Sequence, residues 1–172
     1  MKKEDLFILR DIDCFEPATE SMRKKQYRFE NQVIDCKVIS SNHYLSQQLQ
    51  IPFDTKLFYL ARLRIVEGFP VSMEKTYIAY EKVEGIEQYD FKDVSFYGVL
   101  NDKYGIQIYE TKEDLLIVEA KNEEKEYLQL KDGDEILFER GQSFLEEDES
   151  PFEYFEMSSL PSFYRFRSVI WR

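Results

Sequence analysis

Residues 59–80 read YLARLRIVEGFPVSMEKTYIAY, and the fold turns on how this stretch pairs with itself. Alternation on either side of Gly68-Phe69-Pro70 predicts a strand from Leu57 to about Glu67 and a return strand from Val71 to Tyr80. One row of the first strand is Phe58, Leu60, Arg62, Arg64 and Val66, and the return strand sets Ser72, Glu74, Thr76, Ile78 and Tyr80 on one face. Arg62, Arg64 and Glu74 interrupt rows that are otherwise largely apolar. Register decides whether they meet. If Glu67 pairs with Val71 across a three-residue loop, Arg64 faces Glu74 and Arg62 faces Thr76. Pairing Val66 with Val71 would send the charges to opposite faces.

The chain around this hairpin has 172 residues, enough for one domain with a proper core. Its 43% hydrophobic and 16% aromatic content, with few glycines and prolines, describes a folded chain and not a disordered one. No apolar run reaches the roughly 18 residues a membrane helix needs. The start, MKKEDLFILRDID, lacks the long apolar segment and small-residue cleavage site of a signal peptide. Cys14 and Cys36 are too few and too far apart for a metal knuckle or a disulfide framework, so a reduced, cytoplasmic setting is expected. A net charge of -11 repels a phosphate backbone over most of the surface, which excludes DNA binding by this chain alone.

Outside the hairpin, residues 1–30 read as an N-terminal arm containing one short strand, DLFILR, and residues 31–172 as the main domain. NQVIDCKVIS alternates as a strand with one buried face. SNHYLSQQLQIP predicts a short helix capped by Ser41 or Asn42 and stopped by Pro52. KDVSFYGVLNDKYG predicts a second helix with Asp93 as N-cap and Gly105 as its stop. LLIVEA is a strand, NEEKEYLQL a helix begun by Asn122, and EILFERGQSFLEE turns at DES into the strand PFEYFEMSSL. Strands outnumber helices and several neighbours are hairpin-connected, so the class is α+β with a largely antiparallel sheet.

The material for covalent chemistry is thin. His43 is the single histidine, which leaves Ser-His and Cys-His relays without a base. No glycine-rich phosphate loop and no metal-ligand spacing appears, and no cofactor is expected. The arginine pair is more informative, because forked guanidinium donors match phosphate or carboxylate. Ser95, in the first turn of the second helix, adds a donor where free N–H groups favour an anion. A cross-strand salt bridge on a solvated face stands as the other reading of the same residues.

The ordered set Arg62, Arg64, Gly68, Pro70, Glu74 and Tyr77, then Ser95, Phe96, Tyr97, Tyr104 and Gly105, then Pro151, Phe152, Glu153 and Tyr154 resembles the UTRA domain. This is the effector-binding domain of the HutC branch of GntR-type bacterial transcription regulators. The ending YRFRSVIWR is similar to the tail of sugar-responsive members such as trehalose-operon repressors. Over residues 30–172 the resemblance implies a chorismate-lyase-like fold, a curved antiparallel sheet flanked by helices with a small-molecule pocket, and a homodimer. It implies an effector, most plausibly a phosphorylated sugar, bound by Arg62, Arg64 and Glu74, with Ser95, Tyr97, Glu153 and Tyr164 as further contacts. The same fold also hosts a lyase, so an enzyme and a domain kept only for dimerisation stand as alternatives.

Two departures qualify this. Where many members carry Y-R-G-D-R-Y, the chain has SLPSFY at 159–164, which puts the contacts of that segment in doubt. The winged helix-turn-helix that normally precedes the domain is not in this sequence, and a fragment of a longer regulator is expected over a stand-alone sensor. DNA would be contacted only through that head.

Overall fold

The computed structural model describes residues 3–12, 14, 16, 18–92, 94–146 and 148–171. Its elements are β1 (Ile8–Asp11), α1 (Ala18–Lys24), β2 (Phe29–Ser40), α2 (His43–Leu49), β3 (Lys56–Val66), β4 (Phe69–Ala79), α3 (Phe96–Tyr104), β5 (Glu110–Glu119), α4 (Asn122–Leu128), β6 (Glu135–Phe144), β7 (Glu153–Ser159) and β8 (Tyr164–Arg167). Six strands form one antiparallel sheet in the order β2-β3-β4-β7-β6-β5, while β1 and β8 pair in parallel as a separate ribbon. The α+β, antiparallel expectation is the architecture observed.

The hairpin that decides the fold closes differently from expectation. Its turn has two residues, Glu67 and Gly68, with φ of 50° and 83°, the left-handed pair that a tight hairpin requires. Val66 therefore faces Phe69, and carried along the strands that register would split the charges. A bulge prevents this: Ile65 faces Pro70 while Arg64 faces Ser72, so Val71 is the extra residue. Pro70 has no N–H to give the ladder, and the break falls beside it. Beyond the bulge Arg62 faces Glu74 and Leu60 faces Thr76, shifted by two residues from the register expected. An even shift leaves every side chain on its intended face. The row is preserved although the turn is one residue shorter than expected.

Alternation then sorts the core. Leu57, Leu63, Met73 and Tyr154 point to the face covered by α2, through Leu45 and Leu49, and by α4, through Leu128. Phe58, Leu60 and Ile78 point to the other face, under Phe96, Val99 and Leu100 of α3. Farther along that second face β3 offers Arg62 and Arg64 in place of apolar residues, and α1, through Ala18, Thr19 and Arg23, lines the space above them.

Three local readings need correction. Residues Asn31–Ser40 were expected to bury one face, but β2 is an edge strand with a bulge at Ile34 and no fully buried residue. Ser95, not Asp93, caps α3, its Oγ accepting from the Gly98 N–H at 3.3 Å; Asp93 lies outside the described residues. In α4 the N-cap position is Lys121, whose N–H donates to Glu124, and Asn122 is the first helical residue. The expected arm strand is present, shortened to Ile8–Asp11.

Gly141 of β6 matters for the cavity described below. A Cβ there would lie 2.4 Å from the Lys112 carbonyl oxygen and 2.6 Å from Cζ of Phe155. The missing side chain lets the Phe155 ring lie against the sheet next to β5. Gly141→Ala is expected to destabilise the fold by about 1–3 kcal/mol through overpacking, read as a lower urea midpoint. An unchanged midpoint would show that β5 and the ring yield without cost.

Candidate functional site

Between the sheet face bearing the arginines, the start of α3 and the β1–β8 ribbon lies a cavity of about 330 Å³. Arg62, Arg64, Glu74, Ser95, Tyr97 and Tyr164 all line it. The charges on the hairpin therefore converge on an internal space and not on open solvent.

Its centre is a three-charge cluster. Glu74 Oε1 accepts from Arg64 Nε at 3.1 Å and Nη2 at 2.7 Å, while Oε2 accepts from Arg62 Nη2 at 3.0 Å. Burial alone would raise the Glu74 carboxyl, but Arg64 and then Arg62 outweigh it and hold it below its usual range. Burial lowers Arg62, and the neighbouring Arg64 lowers it further against the pull of Glu74. Two guanidinium groups on one carboxylate give the cluster a net positive charge, in a wall that also carries Glu113 and Glu139 beside Arg10, and Arg64 Nη1 is buried and without a hydrogen-bond partner among the described residues. Such a cluster favours an anion. Glu74 itself is committed to both arginines, so its place in the site is to hold them.

Glu153 is the one expected site residue that the cavity does not reach. It is fully buried on β7, facing Ser143 and Ile78 across the ladders. Its carboxylate accepts from Ser143 Oγ at 2.9 Å, Thr76 Oγ1 at 3.1 Å and the Tyr97 hydroxyl at 3.1 Å. Burial raises its pKa in spite of these three donors. Tyr97 is thus anchored from behind while it lines the cavity. In the departed segment, Leu160 and Phe163 are buried in the core and joined by a Phe163 N–H to Leu160 carbonyl bond of 2.9 Å. The turn they make delivers Tyr164, buried and with its hydroxyl unpartnered among the described residues, to the cavity wall.

Sequence reasoning missed several residues of the wall. Arg10, on the ribbon strand β1, donates through Nη1 to Glu139 Oε2 at 2.7 Å. Its Cζ sits 5.5 Å and 5.6 Å from the ring centroids of Tyr164 and Phe166. Asn31, Phe155, Met157 and Glu113 are among the further lining residues. A signal for Glu139 existed: it interrupts the row Leu137, Gly141, Ser143 of β6, as the arginines interrupt theirs. Arg10 had none, because a four-residue strand in an irregular arm gives alternation too little length.

Burial pushes Glu139 from the usual 4.5 up to about 7, with Arg10 pulling it down only in part. A carboxyl whose folded pKa exceeds its unfolded one contributes stability that is fully present below the unfolded value and lost as pH rises through about 7. Glu74 is lowered, so its contribution fades only in acid below the ordinary carboxylate range and does not mask this window. The melting temperature is expected to rise between about pH 8 and pH 6, and Glu139→Gln to flatten part of that rise in a thermal melt. An identical slope in the variant would refute the assignment.

The fold recurs in known proteins. Residues 24–164 match the UTRA domain. The HTH-type transcriptional regulator GmuR of Bacillus subtilis (strain 168) is 29% identical over 130 residues, 76% of this chain and 54% of that protein. The regulator YurK of the same organism is 22% identical over 144 residues, 84% of this chain and 59% of that one. The chain thus spans little more than half the length of these two relatives. Among solved structures, the effector domain of PhnF from Mycobacterium smegmatis has a TM-score of 0.85 at 14% identity, covering 96% of this chain and 100% of that one. A GntR-family transcriptional regulator from Enterococcus faecalis V583 has a TM-score of 0.68 at 27% identity, covering 83% and 99%. A match running from Lys24 to Tyr164, through the hairpin, α3 and the late strands that build the cavity, means that this chain belongs to the UTRA domain family.

Proposed function

We propose that this chain is the effector-sensing and dimerisation domain of a GntR-type transcription regulator of the HutC branch, working in the cytoplasm. Its effector is a small anionic metabolite, a phosphorylated sugar by preference, and DNA is contacted by a winged helix-turn-helix head. The observation that carries the reading is the Arg62–Glu74–Arg64 cluster, two cations on one carboxylate, at the wall of a cavity of about 330 Å³. That volume suits a small metabolite, and Ser95, the N-cap of α3, adds a hydroxyl at the same wall. No covalent step is required of these residues. The effector acts by binding one arrangement of the dimer better than the other, so that the heads fit or miss their half-sites. Relatives named as helix-turn-helix regulators support the placing of a DNA-binding head outside this span.

The second copy has a surface to meet. β5 is an edge strand of the sheet, and Leu115, Leu116 and Ile117 on it are 37%, 39% and 56% exposed. An apolar edge of this length is a template for pairing with another chain.

Both parts can be tested. In a thermal-shift panel of hexose and disaccharide phosphates, a ligand at a hundred times its Kd adds about 2.7 kcal/mol, or roughly 5–10 °C for a domain of this size. Arg62→Ala and Arg64→Ala should each abolish the shift, with Arg64→Lys as the milder control for folding. Equal shifts in wild type and variants would refute the anion site. In sedimentation experiments the wild type should run as a dimer and Ile117→Lys as a folded monomer. A monomeric wild type, or a dimeric variant, would refute β5 as the interface.

A further inference from the structure

A single cross-sheet row sets the dimensions of the site. Reading across the ladders, Arg62 faces Glu74, Glu74 faces Met157, and Met157 faces Glu139. All four side chains point to the cavity face, and all four residues line the cavity. Neighbouring strands are about 4.8 Å apart, so the backbone at Glu139 lies roughly 10 Å from that at Glu74. The row is thus cationic at one end and acidic at the other, with Met157 and the Phe155 ring as an apolar floor between.

The acidic end is built for a donor. Glu139 has no exposed surface, and its Oε2 is taken by Arg10. Its Oε1 is buried and has no hydrogen-bond partner among the described residues. Leaving such an oxygen unpaired is costly, and the cost is recovered if the occupant carries hydroxyl or amine hydrogens. At the cationic end the unpartnered Arg64 Nη1 calls for the opposite, an acceptor. Glu74 cannot supply the donor-binding oxygen, since both of its own are engaged by the arginines.

We propose that Glu139, oriented by Arg10, is the specificity-determining acceptor of the site, which selects anions carrying a hydroxyl about one sugar ring away from the charged group. Arg10 acts as a positioning residue: it fixes one carboxylate oxygen and leaves the other for an occupant. A bare anion fills only the arginine end. A hydroxylated ring monophosphate spans the row, lays its carbon face on Phe155 and reaches Glu139. This inference rests on the anion-site reading above.

The test compares three probes by titration calorimetry: inorganic phosphate, cyclohexylmethyl phosphate and a set of hexose 6-phosphates. Wild type should bind at least one hexose 6-phosphate ten-fold or more tightly than cyclohexylmethyl phosphate, which has the ring without its hydroxyls. Glu139→Gln keeps an oxygen for Arg10 but turns an amide N–H₂ to the cavity, converting acceptor to donor. It should lose that ten-fold preference while inorganic phosphate binds as in wild type, which also reports that the variant is folded. Arg10→Met, which frees the carboxylate to rotate, should reduce the preference without removing phosphate binding. A preference equal in wild type and Glu139→Gln, or absent from wild type while phosphate still binds, would overturn the role of Glu139 and leave the anion site standing. Failure of wild type to bind any of the probes would overturn both.

Discussion

Two guanidinium groups share the carboxylate of Glu74, and the geometry of the site follows from that arrangement. Arg62 and Arg64 are one strand-repeat apart on the same face, both nearly buried, and would repel one another strongly if nothing lay between them. Glu74 sits on the neighbouring strand directly opposite Arg62 and within reach of Arg64, and its two oxygens divide between them. Removing one partner from such a buried cluster costs about 3–5 kcal/mol, because the remaining charge is left uncompensated. The cluster is an unlikely choice for stability alone, since apolar residues of similar volume often do as well. What it provides is a fixed pair of forked donors and one positive charge in excess, on a rigid sheet and not on a loop.

That arrangement depends on a single residue of register. The tight turn at Glu67 and Gly68 matches the twist of the hairpin but sets the two strands out of phase with the charges. The bulge at Val71 restores the phase one turn inside the strand. It is anchored from outside, since the Leu160 N–H donates to the Val71 carbonyl at 3.0 Å. Leu160 belongs to the segment that also delivers Tyr164 to the cavity. The irregularity that rescues the arginine row and the turn that places the late tyrosine are thereby one packed unit, in which Val71, Leu160 and Phe163 are all buried.

How much of this could be read beforehand follows from the range of the forces involved. The α+β class, the charged hairpin and most of the helices and strands were legible, because alternation and capping are local and leave a periodic trace. The arginine row survived a mistaken turn length because side-chain direction depends only on whether the shift is odd or even. The bulge was not legible, for Pro70 two residues after Gly68 suits a longer turn equally well. Ser95 was named for its donor, yet its role as the cap was assigned to Asp93, two residues earlier in an acid-and-serine run where either side chain could serve. Arg10 and β8 meet across almost the whole length of the chain, and no local pattern records that pairing. Glu139 was legible in principle: the argument applied to Arg62 and Arg64, a charge within an otherwise uncharged row, applies to it unchanged.

Three carboxylates of this sheet face, Glu74, Glu139 and Glu153, show how far burial and partners decide what an acid can do. Glu74 has two cations and stays ionised well into acid, so it is a fixed counter-charge. Glu153 has three neutral donors and no direct cation, and burial prevails, so its carboxyl is raised and spent on holding Tyr97, Thr76 and Ser143 together. Glu139 lies between, with one cation, one free oxygen and a pKa of about 7. The surface outside adds its own constraint. A chain with net charge -11 presents a negative field to any extended polyanion, while the positive charge it does gather is turned inward at the arginine pair. A small anion that fits the cavity escapes most of that outer repulsion once inside, and a nucleic acid backbone does not. The same charge distribution therefore favours a small anion in the cavity over an extended polyanion on the surface, as the proposed reading requires.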